Sequence, residues 1–268
     1  MEAAAVINAS HCIALARWRE LVLPREHGSW SFALEPLALG LLVAPSAAGA
    51  DLAVAVVATF LARRPLRTAL GEVKAEHRAA AVEPLVVLGA VALVFFLSAI
   101  ALGGVAWAAW LAPSALGGTV FLGFDLRHDG RAEMAEVAGV AAFAFVPAAV
   151  AALAGWGNAE SLALALIACG RSVPTMLCVR AAVRGTKTGV RRNGPALVAT
   201  FLALAVATVL VRAGLAPQAA AVGLAILAVR AVVLLLWPRP ALRARTLGMA
   251  EAGLGAFFVF SVAASWRA

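Results

Sequence analysis

Chemistry in this chain has to come from a few charged side chains set among apolar ones. His27 and Glu35 form the first pair, within Pro24-Arg25-Glu26-His27-Gly28-Ser29-Trp30 and Glu35-Pro36. Either side chain can hold or pass a proton. Pro24 and Glu26 also suit an ordinary helix start, where proline fits the first turn and an acid meets the positive dipole end. His27, so close to an apolar run, and Glu35, about two turns inside it, have no such explanation. Pro36 adds a kink and a freed backbone carbonyl, so a polar cavity is expected to face these positions. Catalytic roles therefore fall to His27 and Glu35, with ligand contacts at Glu26 and Trp30.

Arginines make the second set. Arg63-Arg64-Pro65 closes an apolar segment, and the planar guanidinium of Arg64 suits a phosphate or carboxylate; anchoring at a membrane surface accounts for the same residues equally well. Arg171 and Arg180 lie nine residues apart, about two and a half turns, so a straight helix points them to different sides unless Pro174 bends it. Arg171 needs an acid partner, with Glu35 and Glu136 as candidates. Asp125, Asp129, Glu133 and Glu136 are acids at short spacing, and the last two share a helix face. They suit either oxygen ligation of a divalent cation or a solvated loop that caps a helix. Glu251 follows a basic cluster, where an acid at a helix start is ordinary. Ligand-binding roles are assigned to Arg64, Glu133, Glu136, Arg171, Arg180 and Glu251. No metal site and no cofactor are assigned. The chain has no phosphate-binding glycine loop, His-Glu-x-x-His, Gly-x-Ser-x-Gly or paired-cysteine motif, and it has no Tyr.

These residues must be positioned by apolar helices. With 63% hydrophobic and 13% charged residues among 268, the composition excludes a soluble domain. Nine charge-poor segments, at roughly 28–46, 49–64, 82–102, 104–124, 134–155, 158–179, 194–212, 216–237 and 247–265, approach the ~20 residues that cross a bilayer. Of the 22 Lys and Arg residues, all but Arg171, Arg212, Arg230 and Arg267 cluster before the first segment or after the even-numbered ones. Short basic loops stay in the cytoplasm, which predicts an all-α, nine-span bundle with its N-terminus inside and its C-terminus outside. Trp30, Trp107, Trp110, Trp156, Trp237 and Trp266 mark span ends, as an interfacial belt requires. The net charge of +8 is juxtamembrane, so it points to anionic inner-leaflet lipids and away from nucleic acid. Residues 1–24 lack a continuous apolar core and a cleavage site, and read as a cytoplasmic arm or interfacial helix; residues 25–268 read as one transmembrane domain. Cys12, Cys169 and Cys178 are scattered and read as packing residues.

The PREHGSW motif and its continuation through Glu35-Pro36 resemble the YwiC-like family, and Arg64-Pro65 and the Glu133 to Gly139 segment are similar to that family too. The resemblance implies an integral protein of the bacterial inner membrane. In layout the chain also resembles the UbiA superfamily of intramembrane prenyltransferases, which implies a cavity opening at the cytoplasmic ends of helices two and six. Those enzymes hold magnesium and an isoprenyl diphosphate on two aspartate-rich motifs. Here the loop after span two offers Arg63, Arg64 and Arg67 with Glu72 and Glu76, and the loop after span six offers five cations and no acid. Metal-bridged diphosphate ionisation needs carboxylate oxygens, whereas a cavity lined by arginine holds an anionic headgroup directly. The expected function is binding of a lipidic or anionic ligand, such as a membrane lipid or an isoprenoid-like molecule, in a UbiA-like bundle that lacks the metal motifs. Two alternatives remain. A transporter of small molecules or ions would use Glu35, Arg171 and Arg230, although no internal repeat relates spans 1–4 to 5–8. A non-catalytic subunit would dock a protein partner on its charged loops.

Overall fold

Alanine- and leucine-rich segments satisfy their own backbone hydrogen bonds as helices, the one solution open to a single chain segment in hydrocarbon. A computed structural model describes residues 18–23, 27–71, 75–127, 129–130, 132–188, 193–237 and 244–266, without the side chains of 27–29, 186–188, 244 and 245. Among the described residues there is no strand. After a helical stretch at 18–22 come α1 (His27–Val43), α2 (Ala47–Leu70) and α3 (Ala75–Gly103). A 3-10 turn (Ala106–Leu111) leads into α4 (Ala112–Leu126), followed by α5 (Glu133–Ala144) and α6 (Val146–Leu153). The chain closes with α7 (Asn158–Thr188), α8 (Gly194–Arg212), α9 (Gln218–Leu236) and α10 (Ala244–Trp266).

Seven stretches are long and apolar enough to cross a membrane: Ala75–Gly103, Ala106–Leu126, Glu133–Leu153, Asn158–Gly185, Gly194–Arg212, Gln218–Leu236 and Thr246–Trp266. They coincide with the third to ninth expected spans. The first two fold as helices but differ in character. The apolar part of α1 is the shorter Trp30–Val43, and α2 carries Asp51 near one end and Arg63, Arg64 and Arg67 near the other. Nine is therefore an approximate count of crossings.

The fifth span is not one helix. It breaks at Phe145 because Pro147, near the start of α6, has no N–H to give the Phe143 carbonyl. Packing then decides which helices are central. In α7, 61% of the apolar window is buried inside the protein, against 11% in α3. Helix α1 is the other hub and touches α2, α5, α6, α7 and α10. It feeds Leu39 into a core with Leu164, Ile167, Leu224, Phe258 and Val262. Leu37 enters a second core with Leu52, Val146, Val150 and Trp107. Trp107 is thus a core residue and not part of an exposed belt: it is 3% exposed, stacks on Phe96 and donates to the Gly104 carbonyl at 2.6 Å. Leu93, Val94 and Leu97 of α3 and Val198, Phe201 and Leu202 of α8 are exposed, as surfaces against lipid acyl chains would be.

Long-range contacts sort the helix ends into two sets. Arg64 donates to the Leu23 carbonyl, Arg63 and Arg67 meet Asp125, Arg180 meets Glu133 and Glu136, and Asn193 donates to the Leu235 carbonyl. These contacts gather the even-numbered span ends at one end of the bundle. At the other end Trp156 packs on Trp266, with ring centroids 5.7 Å apart, and Gly103 lies between Ala48 and Leu153.

Candidate functional site

Four charged side chains meet inside the bundle: Glu35 of α1, Arg171 of α7, Arg230 of α9 and Glu251 of α10. Glu35, Arg230 and Glu251 sit six to eight residues from the basic-end termini of their helices, roughly 9–12 Å at 1.5 Å per residue. That depth is about a third of a ~30 Å hydrocarbon core. A lone ion there costs several kcal/mol, about enough to cancel a domain's margin, so each charge requires a partner.

Arg171, with its side chain 3% exposed, has most of the partners. Its Nη2 lies 3.2 Å from Glu35 Oε2 and donates to the Glu251 carbonyl at 3.0 Å. Its Nη1 donates to Thr175 Oγ1, which in turn donates to the Arg171 carbonyl at 2.7 Å. The Glu251 carboxylate pairs with Arg230. In this cluster three polar atoms remain without a hydrogen bond among the described residues, Arg171 Nε, Glu251 Oε2 and Arg230 Nη2, the last held by its ion pair with Glu251. Gly255 gives Glu35 its place, because a Cβ at 255 would overlap the carboxylate. Beside the cluster, Gly170, Pro174, Thr175, Cys178, Thr200 and Arg230 line a cavity with room for about one water molecule.

A second set of ion pairs rims the basic end. Arg180 pairs with Glu136 and lies 3.6 Å from Glu133, which Arg184 approaches at 3.9 Å. Asp125, 3% exposed in its side chain, takes Arg63 at 3.1 Å and Arg67 at 3.2 Å. Arg63 also stacks over the Phe121 ring at 4.2 Å, a cation–π arrangement. Gly130 leaves room here, since a Cβ would sit 2.7 Å from Asp125 Oδ1.

The sequence-selected residues therefore divide into groups. Glu35, Arg171 and Glu251 come together in the buried cluster, with Glu35 and not Glu136 as the partner of Arg171. Glu133, Glu136 and Arg180 form the rim cluster. Pro174 does not unite Arg171 with Arg180: α7 runs on through it, and the nine-residue spacing keeps them in separate clusters. Arg64 stands apart on the Leu23 carbonyl. Trp30 stacks edge-on against Phe60, which stacks against Phe143, at 5.5 Å each. Glu26 and the His27 side chain lie outside the described residues. Arg230, given a role by the sequence only under transport, completes the buried cluster; a charge inside an apolar span was its signal. Gly255 and Thr175 carried none. Among the described residues no group of three or more His, Cys, Asp or Glu is placed to hold a metal ion.

A family model described as YwiC-like protein matches residues 23–151. The match contains the Pro24 to Trp30 motif, Glu35-Pro36, Arg64-Pro65 and Glu133 to Gly139, and spans α1 to α6. It includes Glu35 but ends before Arg171, Arg230 and Glu251. No curated protein and no solved structure matches the chain.

Proposed function

We propose that this chain is a multi-pass protein of the bacterial cytoplasmic membrane, N-terminus inside and C-terminus outside, that receives an anionic ligand from the cytoplasmic side at Arg171. Basic loops gathered at one end support the orientation, and anionic inner-leaflet lipids are the natural neighbours of that end. The observation that carries the reading is Arg171 itself. It is too deep to anchor the protein, polar groups from α7, α1 and α10 hold it, and its Nε has no acceptor among the described residues. A ligand with a lipid or isoprenoid-like tail suits the depth of the site. We keep a UbiA-like arrangement as the proposed layout, without its metal step, because the loop after span six offers cations and no acid. Where the bound anion reacts, Glu35 is the group placed to move a proton.

A second reading, carriage of a small anion across the membrane, is favoured by one feature. The four charges come from four different helices, so a relative shift of α1 against α7 and α10 opens or closes the site without unfolding any helix.

Native mass spectrometry of gently purified protein tests the reading. The expected result is a bound anionic lipid or small anion that is lost in Arg171→Gln while the protein stays folded. Equal retention by Arg171→Gln removes Arg171 from the site. A ligand-free protein carrying a stoichiometric second polypeptide would favour the role of a docked subunit.

A further inference from the structure

We propose that Arg171 exchanges Glu35 for an incoming singly charged, planar oxyanion, and that Glu35 takes up one proton as the anion arrives. This rests on the anion-binding reading and adds the class of ligand and its co-traveller. The cluster pairs two guanidinium groups with two carboxylates, so it is neutral as it stands. An anion entering alone leaves an uncompensated negative charge at membrane depth, an expensive state. A proton entering with it restores neutrality. The Arg171–Glu35 ion pair becomes an Arg171–anion pair, and Glu35 becomes a neutral carboxylic acid. The one covalent bond formed is the O–H of that acid, and the one broken is the bond to hydrogen in the hydronium ion or buffer acid of the aqueous phase that delivers the proton.

The geometry selects both partners. The Nε and Nη2 of an arginine form one edge of the fork, with two parallel N–H groups that suit two oxygens of one planar anion. In Arg171, Nη2 meets Glu35 through a single contact and Nε has no acceptor among the described residues, so this edge is half used. Glu35 is the carboxylate free to leave. Arg171 would keep Thr175 and the Glu251 carbonyl without it, whereas Glu251 is engaged by Arg230. Pro36 follows Glu35 directly and leaves the Phe32 carbonyl without its helical N–H, which gives α1 a place to bend. The groups that set the proton affinity of Glu35 are Arg171 from α7 and Glu251 from α10. Helix α6 has no charged residue, and Glu133 and Glu136 of α5 and Arg63 and Arg67 of α2 are engaged at the rim.

The test titrates the full-length protein, in weakly buffered detergent solution near neutral pH, with sodium nitrate. Nitrate is planar, carries one charge and does not itself titrate there. Sodium 4-octylbenzoate, with a planar, singly charged carboxylate on a lipid-like tail, is the second arm and separates a headgroup source from a free anion. Binding is followed calorimetrically and proton uptake with a pH indicator. The expected result is about one proton taken up per anion bound by the natural protein. Glu35→Gln, which removes the negative charge that the proton would neutralise, should still bind the anion and take up none. Arg171→Gln should weaken binding at least about tenfold. Binding without proton uptake by the natural protein overturns the exchange and leaves the anion-binding reading intact. Uptake that survives in Glu35→Gln overturns the assignment to Glu35. Failure of both anions to bind the natural protein removes reading and exchange together. The stoichiometry of the natural protein decides the matter even where a variant misfolds.

Discussion

A missing side chain on α10 fixes where a carboxylate on α1 can lie. Because a Cβ at 255 would overlap Glu35, Gly255→Ala should destabilise the protein by about 1–3 kcal/mol, the usual cost of overpacking. In a Glu35→Ala background the same substitution should cost less than about 0.5 kcal/mol, since the two effects share one cause. Thermal unfolding of the four proteins in detergent measures the coupling, and additive costs would mean that Gly255 acts through something else. At the rim the two arginines on Asp125 should not be equivalent. Arg63 is 25% exposed and stacks over Phe121, while Arg67 is 48% exposed. Arg63→Ala should therefore cost about 1–3 kcal/mol, as loss of a partly buried charged hydrogen bond does, and Arg67→Ala less than about 1 kcal/mol, as for exposed pairs. Equal losses would mean that solvent reaches both pairs alike. At this scale the sequence exposed its charges and not their partners. A charge inside an apolar span is visible, so Glu35, Arg171 and Arg230 stand out. Pairing depends on which helix faces meet, so the choice of Glu35 over Glu136 for Arg171, and the part played by Gly255, needed three dimensions.

The helices themselves were legible wherever composition alone decides them, and illegible where neighbours do. Pro36, Pro65, Pro84 and Pro174 all lie inside continuous helices, yet Pro147 sits at a break. The difference is tertiary. Pro147 sets its Cα against Gly40, where a Cβ would approach to 3.1 Å, so close packing of α6 on α1 stabilises the interruption. The turns at the end away from the arginine ion pairs follow a simpler rule. Gly104, Gly155 and Gly214 have φ of +70°, +84° and +72°, the left-handed conformation that closes a helix and favours glycine. A Cβ at any of the three meets nothing within 4 Å, so backbone strain alone sets the cost of a side chain. Gly104→Ala, Gly155→Ala and Gly214→Ala should each lose about 1–2 kcal/mol, and the corresponding Asn variants should lose less, because Asn tolerates that region. Unfolding midpoints of the six variants check this, and a cost at one site only would point to a contact instead of to strain.

Over the whole molecule, two independent patterns bear on one topology. Basic residues recur after even-numbered spans in the sequence, and the ion pairs from Arg63 and Arg67 to Asp125 and from Arg180 to Glu133 and Glu136 bring those span ends together in space. The alternation was readable from charge because each loop is sorted by its own composition as it inserts. The centrality of α1 and α7 was not readable, since all the spans are apolar and lipid is as apolar as a protein core. Charge also makes the orientation testable on intact cells. In a chain with its three native cysteines replaced, Ala159→Cys places a thiol on the exposed turn that opens α7, and Leu70→Cys places one at the exposed end of α2. A membrane-impermeant maleimide applied to spheroplasts should label Ala159→Cys fully and Leu70→Cys only after lysis. The inverse pattern would turn the bundle over and move the mouth nearest Arg171 to the outer face. Labelling of both positions from one side would instead remove an odd number of crossings between α2 and α7. The ion pairs at the rim would then have to form between span ends that the membrane separates, which their contact distances forbid.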